Sequence, residues 1–239
     1  MKIIKGKVSA PRSVLIYGTN GCGKTTWATS APNAILVDFE GGSSDIDCHR
    51  TGQITEWGEV VNTLMELGEL DYKWVILDSL DWLERIIWGQ VASSHGKDDV
   101  SAIPYGQGYK EALGLWSYLL RGLELLKTKG IGTIAICHSQ ITRFESPEGQ
   151  SYDRYEPKLY KSASALWREW VDEILFASYK SMVVTEDGKF GQKRSIGVGT
   201  GERYLRTTET PAVVAKNRLQ LPTELPMSWE AYQEFFTGE

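Results

Sequence analysis

Short apolar runs alternate with amphipathic stretches along the first two thirds of the chain. Residues 13–17 (SVLIY), 34–39 (AILVDF), 73–78 (KWVILD) and 131–137 (IGTIAIC) are near-continuous apolar runs of strand length, the pattern of strands buried on both faces. A short helix after the first run is predicted to stop at Ala31-Pro32, because the residue before a proline resists helical backbone. Trp57, Val60, Val61, Leu64 and Met65 recur at helical spacing, and 80–91 and 109–127 also read as helices. Strands alternating with helices predict a mainly parallel sheet with right-handed crossovers. Beyond about residue 172 the texture changes. Two strand-like runs flank Asp187-Gly188, a hairpin signal, and YLRTT and AVVAK follow as short strands. SWEAYQEFF closes the chain as a small helix with Ser228 as its cap. The predicted class is α/β, a parallel core finished by a C-terminal antiparallel meander, in one domain over residues 1–239. No internal repeat or low-complexity linker interrupts it.

The first run opens into glycines. Gly18, Thr19, Asn20, Gly21, Cys22, Gly23, Lys24 and Thr25 fit G-x-x-x-x-G-K-[ST], followed by Thr26. Between a buried strand and a helix, such a loop turns backbone N–H groups inward around phosphate oxygens. Lys24 can reach the terminal phosphates of a nucleoside triphosphate, and the Thr25 hydroxyl can bind Mg²⁺. A second acid must orient the metal's water shell, and Asp78, ending the third run, is placed for it; the same residue, or Ser79, could also be a plain helix cap. Asp38 and Glu40 share a face at the end of the second run, where ligands bind in open α/β sheets. Glu40 is assigned to polarise the attacking water, since Gly41-Gly42 lets its longer side chain reach the cleft. A solvated strand-end acid is the alternative. His138, Ser139 and Gln140 leave the fourth run at the same edge, either to sense the terminal phosphate or as a hydrogen-bonded strand exit. Cys48-His49 and Cys137-His138 lack metal-ligand spacing, and adjacent strand residues face opposite ways, so zinc is not expected.

Composition changes the picture in two ways. With 239 residues, 41% hydrophobic and 24% charged, the chain has globular rather than disordered values. Its net charge of −5 excludes coating nucleic acid by bulk charge, so any DNA contact needs a local patch. Three unpatterned cysteines suggest a reducing cytoplasm. No apolar run is long enough for a membrane span, and the N-terminus does not read as a secretion signal.

The phosphate loop, the acid after the second strand, WVILDSL, the polar exit at 138–140 and a late AKNR together resemble the RecA-like ATPases. The resemblance implies a RecA-like P-loop core that binds and hydrolyses ATP with Mg²⁺. It also implies that Lys216 and Arg218 act as fingers on a neighbouring subunit's ATP, so that subunits assemble head-to-tail as a ring or filament. IPYGQGYKEA, the histidine at the fourth strand's exit and VDEILFA ahead of KNR are similar to the short phage ATPases of single-strand annealing and homologous recombination. The likeness covers roughly residues 12 to 222. The length leaves no place for a separate DNA-binding domain, and His138-Ser139-Gln140 replaces the asparagine-glutamine pair of recombinases. The resemblance therefore does not extend to full strand exchange. It places the protein in the cytoplasm, the host's if the gene is a phage's.

By the same resemblance, two long irregular stretches, 93–108 and 141 to about 162, correspond to loops that hold single-stranded DNA. The second carries Arg143, Phe144, Tyr152, Arg154, Tyr155, Lys158, Tyr160 and Lys161, and cations among aromatics suit stacked bases and paired phosphates. Glu145, Glu148, Asp153 and Glu156 bring it near neutrality, which keeps a ligand-free surface loop in play. A single-strand-binding protein is left open as a further partner. Rival readings are a helicase-type or helicase-loading ATPase, and a nucleotide-dependent assembly or signalling protein that does not touch DNA.

Overall fold

A computed structural model describes residues 3, 5–6, 10–147, 149–187 and 193–237. In chain order the elements are β1 (Ser13–Gly18), α1 (Lys24–Thr29), β2 (Ala34–Asp38), β3 (His49–Arg50), α2 (Trp57–Leu67), β4 (Trp74–Asp78), α3 (Leu80–Ser94) and α4 (Gln107–Thr128). There follow β5 (Gly132–Phe144), β6 (Tyr152–Pro157), α5 (Lys161–Trp170), β7 (Glu173–Asp187), β8 (Lys193–Arg206), β9 (Lys216–Asn217), β10 (Glu224–Pro226) and α6 (Trp229–Thr237). The sheet order is β10-β8-β7-β1-β5-β4-β2-β3, with β6 paired to β5 and β9 to β7. β1, β2, β3, β4, β5 and the first part of β7 run parallel; β8, β9 and β10 are antiparallel additions. The expected α/β class, parallel core and antiparallel C-terminal strands are all present.

The continuous apolar runs are explained by burial on both sheet faces. Leu15, Tyr17, Val75, Leu77, Ala135 and Cys137 point one way, into the core shared with Leu83, Ile87, Trp116, Leu123 and Trp167 of α3, α4 and α5. Their neighbours Val14, Ile16, Ile76, Ile134 and Ile136 point the other way, onto Trp27 of α1 and Trp229 and Tyr232 of α6. The Trp27 ring lies 5.2 Å from Trp229 and 5.4 Å from Tyr232, so α6 supports the helix behind the glycine loop. Ser228 caps α6 as expected, its Oγ accepting the Ala231 N–H at 3.1 Å. A fully buried Glu173 carboxylate is held by Arg12 and by the Tyr232 hydroxyl at 3.2 Å.

Two expectations are corrected. The stretch after residue 140 is not irregular: β5 continues to Phe144 and pairs antiparallel with β6, Gln140 opposite Glu156 and Phe144 opposite Tyr152. The chain then enters α5, whose Ala163, Leu166, Trp167 and Trp170 share one face. AVVAK is not a strand over its length. Val213, Val214 and Ala215 are buried through packing and isolated bridges, and only Lys216–Asn217 joins the ladder, beside β7. The β7–β8 hairpin forms as predicted up to Asp187 and from Lys193; Gly188 lies outside the described residues. No helix among the described residues is long and apolar enough to cross a membrane.

Candidate functional site

The parallel strands place Gly18, Asp38, Asp78 and His138 at one edge of the sheet, where their carboxyl ends meet. β5 lies between β1 and β4, so the loop strand and the strand ending in Asp78 are next-nearest neighbours. Gly18 is fixed by closeness: a Cβ there would stand 1.9 Å from the Ala177 carbonyl oxygen of β7. Gly21 and Gly23 have φ of 71° and 93°, the left-handed backbone the loop needs to curl its N–H groups inward. Lys24 is buried, and its ammonium donates to the Gly18 and Thr19 carbonyls at 3.2 and 2.9 Å. Thr25 donates its hydroxyl to Asp78 Oδ2 at 2.9 Å. Thr19, Asn20 and Thr26 line the solvent side of the loop, while Cys22 is turned inward toward the Ala177 carbonyl.

The acids divide by their partners. Asp38 accepts the N–H groups of Glu40 and Gly41 at 3.1 and 2.6 Å and the Ser43 hydroxyl at 2.6 Å. These bonds commit it to shaping the turn. Glu40 accepts the Ser79 hydroxyl at 3.2 Å and stands 4.0 Å from His138 Nε2. Asp78 is pushed up to about 6, chiefly by burial and then by the nearby Glu40 and Asp38 charges, against the Thr25 hydrogen bond. A part-buried hydroxyl–carboxylate pair facing further carboxylates suits a hard cation. Among the described residues no three metal-ligating acids, histidines or cysteines converge.

His138 is engaged from behind by Asp81, at 3.1 and 3.0 Å from its Nδ1. The imidazole is held above its ordinary value first by that hydrogen bond, against burial and with the Asp81 and Glu40 charges adding to it. Burial tends to raise Asp81, yet its bonds to His138 hold it below the usual range. Gln140 points elsewhere, donating to the Pro157 and Leu159 carbonyls at 3.2 and 3.3 Å and bracing the root of the β5–β6 ribbon. Three contacts were not evident from the sequence. Asp81 carries no motif signal beyond its place one turn past Asp78. Tyr179 and Arg203, cross-strand partners on β7 and β8, rest on the outside of the glycine loop. Their side chains donate to the Gly21 and Cys22 carbonyls at 2.9 and 3.5 Å.

Lys216 and Arg218 lie apart from this group. β9 pairs with the first residues of β7, toward the opposite edge of the sheet. The Lys216 ammonium donates to the carbonyls of Arg168, Glu169 and Val171 at 2.8, 3.0 and 2.6 Å, closing the C-terminal end of α5. Arg218 pairs with Asp172 at 2.9 Å, its side chain 55% exposed.

The ribbon gathers the remaining candidates. Arg143 is exposed and pairs with Asp153 at 3.5 Å. Phe144 and Tyr152 are in ring contact at 5.2 Å, and Arg154 covers Phe144 at 4.2 Å while pairing with Glu156. Tyr155 packs inward on Phe176 at 5.0 Å, and Tyr160 stacks on Tyr109 at 4.5 Å. Lys158 and Lys161 are exposed at the root of the ribbon.

A family model for an AAA domain matches residues 10–219, and the chain belongs to that family of P-loop ATPases. No curated protein matches it.

Proposed function

We propose that this AAA-domain protein hydrolyses ATP and uses the cycle to control head-to-tail assembly on single-stranded DNA, in annealing or homologous recombination. The observation that carries the ATPase part is the Thr25–Asp78 hydrogen bond, formed at the same sheet edge as Lys24 and Glu40. Thr25 and Asp78 would hold magnesium, which when bound offsets phosphate charge. Lys24 exchanges its loop carbonyls for terminal phosphate oxygens. With Asp38 committed to the turn, Glu40 is the carboxylate left to orient a water and accept its proton. Lys24→Ala should lower turnover by about 10²–10³; hydrolysis at the wild-type rate in that variant would refute the site.

Assembly rests on the place of Arg218, far from its own loop and with its head group toward solvent. From that place the ATP within its reach would be a neighbour's rather than its own. Arg218→Ala should bind ATP without turning it over, and mixing it with Glu40→Gln protein should restore activity; no rescue would refute shared sites. DNA binding rests on Arg143, Lys158 and Lys161, exposed on or beside the ribbon. Affinity for a fluorescent single-stranded oligonucleotide should fall steeply as salt rises. The internal pairs of Arg143 and Arg154 favour the rival reading, an assembly protein that does not touch DNA. No binding at low salt would decide for that rival.

A further inference from the structure

The entry to α3, from Asp78 to Asp81, reaches three separate parts of the site. Asp78, just before the helix, takes the Thr25 hydroxyl; Ser79 donates to Glu40; and Asp81 takes His138. Asp81 is nearly buried, at 6% exposure, and its Oδ1 also accepts the His138 backbone N–H at 3.2 Å. The bond to Nδ1 decides what the other ring nitrogen does. A neutral imidazole carries one proton, and it goes to the nitrogen with the better acceptor. A carboxylate at Nδ1 therefore keeps that nitrogen protonated and leaves Nε2 facing the site, 4.0 Å from Glu40 Oε1.

We propose that Asp81 is a positioning residue for ATP hydrolysis. It fixes the orientation and tautomer of His138, so that the neutral ring turns the Nε2 lone pair to a proton of the water that Glu40 addresses, and the protonated ring turns Nε2–H to Glu40 itself. The inference rests on the ATPase reading above. The charged groups facing His138 are Asp81 from α3, Glu40 from the exit of β2, Lys24 from the loop and Asp78 from the end of β4. Among the described residues, only Asp81 touches the ring within hydrogen-bond distance. A purely structural role, tying α3 to β5, would need the backbone N–H bond alone. The pair of contacts to Nδ1 goes beyond that need.

The test is a kinetic cycle with a spectroscopic partner. Asp81→Asn keeps the size of the side chain and one acceptor oxygen. It should lower kcat about 10–100-fold, the range for residues that orient a functional imidazole, with KM for ATP within about twofold. In a His138→Ala background the same change should cost nothing more. A kcat within twofold of wild type, or an equal further loss in the double variant, overturns the proposal. Imidazole resonances of His49, His95 and His138, followed through a pH titration, give a readout independent of turnover. In the wild type, neutral His138 should carry its proton on Nδ1. In Asp81→Asn its midpoint should fall. An Nε2-protonated ring in the wild-type protein overturns the inference even if the variant fails to fold. If the wild type turns over no ATP, the ATPase reading fails, and the same titration still decides whether Asp81 holds the ring.

Discussion

Replacing Asp78 by asparagine should make the nucleotide-free protein more stable while removing its response to magnesium. Asp78 is 8% exposed and stays protonated up to about 6 in the fold, against an ordinary value of 3.8. In the unfolded chain it ionises near its ordinary value, so between those two values unfolding releases a proton. A group raised in this way contributes stability that is fully present below its unfolded value and lost as pH rises through its folded one. Above pH 6 to 7 the ionised carboxylate therefore burdens the fold. The gap of roughly two decades, at about 1.4 kcal/mol per decade, is worth on the order of 3 kcal/mol. Asparagine has no charge to bury and keeps an oxygen for the Thr25 hydroxyl. Urea unfolding in EDTA without nucleotide should show Asp78→Asn ahead by up to ~3 kcal/mol at pH 8, with the difference closing near pH 4. Magnesium and ATP should reverse the order, because only the wild type gains stability from binding them together. An asparagine variant equal to or weaker than wild type at pH 8 in EDTA would refute the electrostatic account of the site.

Other substitutions test the supports around it. Lys216→Ala frees three carbonyls at the end of α5; at about 2 kcal/mol for hydrogen bonds from a charged donor, scanning calorimetry should show Tm lower by roughly 4–8 °C. An unchanged Tm would show that the ammonium does not close that helix. Arg12→Ala leaves Glu173 fully buried with the Tyr232 hydroxyl as its remaining side-chain partner. The expected cost is about 3–5 kcal/mol at pH 8, shrinking toward pH 4 as the carboxyl takes a proton, and parallel urea curves at both pH values check it. Gly18→Ala drives a methyl into the Ala177 carbonyl and should separate β1 from β7; a folded variant with the wild-type urea midpoint would refute that close approach.

The core strands were legible because burial on both faces writes itself as unbroken apolar runs, and the glycine loop because its backbone demands glycines at fixed places. The ribbon was not. Along 139–144 the half-buried side of the pattern carries the polar Gln140 and Thr142 before Phe144, while the apolar Ile141 faces solvent. Alternation of that kind reads as loop. The signal for α5 is present in Ala163, Leu166, Trp167 and Trp170, a helical stripe that follows directly on a charged stretch. AVVAK read as a strand because its valines are apolar and β-branched, yet they are buried against neighbouring elements rather than in a ladder. Of the site, Lys24, Thr25, Glu40 and Asp78 stand at one edge because β1, β2 and β4, which they end or closely follow, are parallel. Asp81 could not be singled out, since an acid in a helix's first turn is common and its partner lies 57 residues away.

One strand serves two sheets: β5 runs parallel between β1 and β4 as far as Cys137 and His138, and pairs antiparallel with β6 beyond. The two halves differ in what evolution can do with them. Residues can be added or exchanged at the turn between Phe144 and Tyr152 without moving anything at the nucleotide edge. A single residue inserted between Cys137 and Ile141 would instead turn every later side chain to the other face. Arg143 would swing toward the packed side and Thr142 and Phe144 outward, exchanging the ribbon's inner and outer surfaces in one step. The tip can thus vary in length and composition, whereas the root is locked to the sheet edge beneath it.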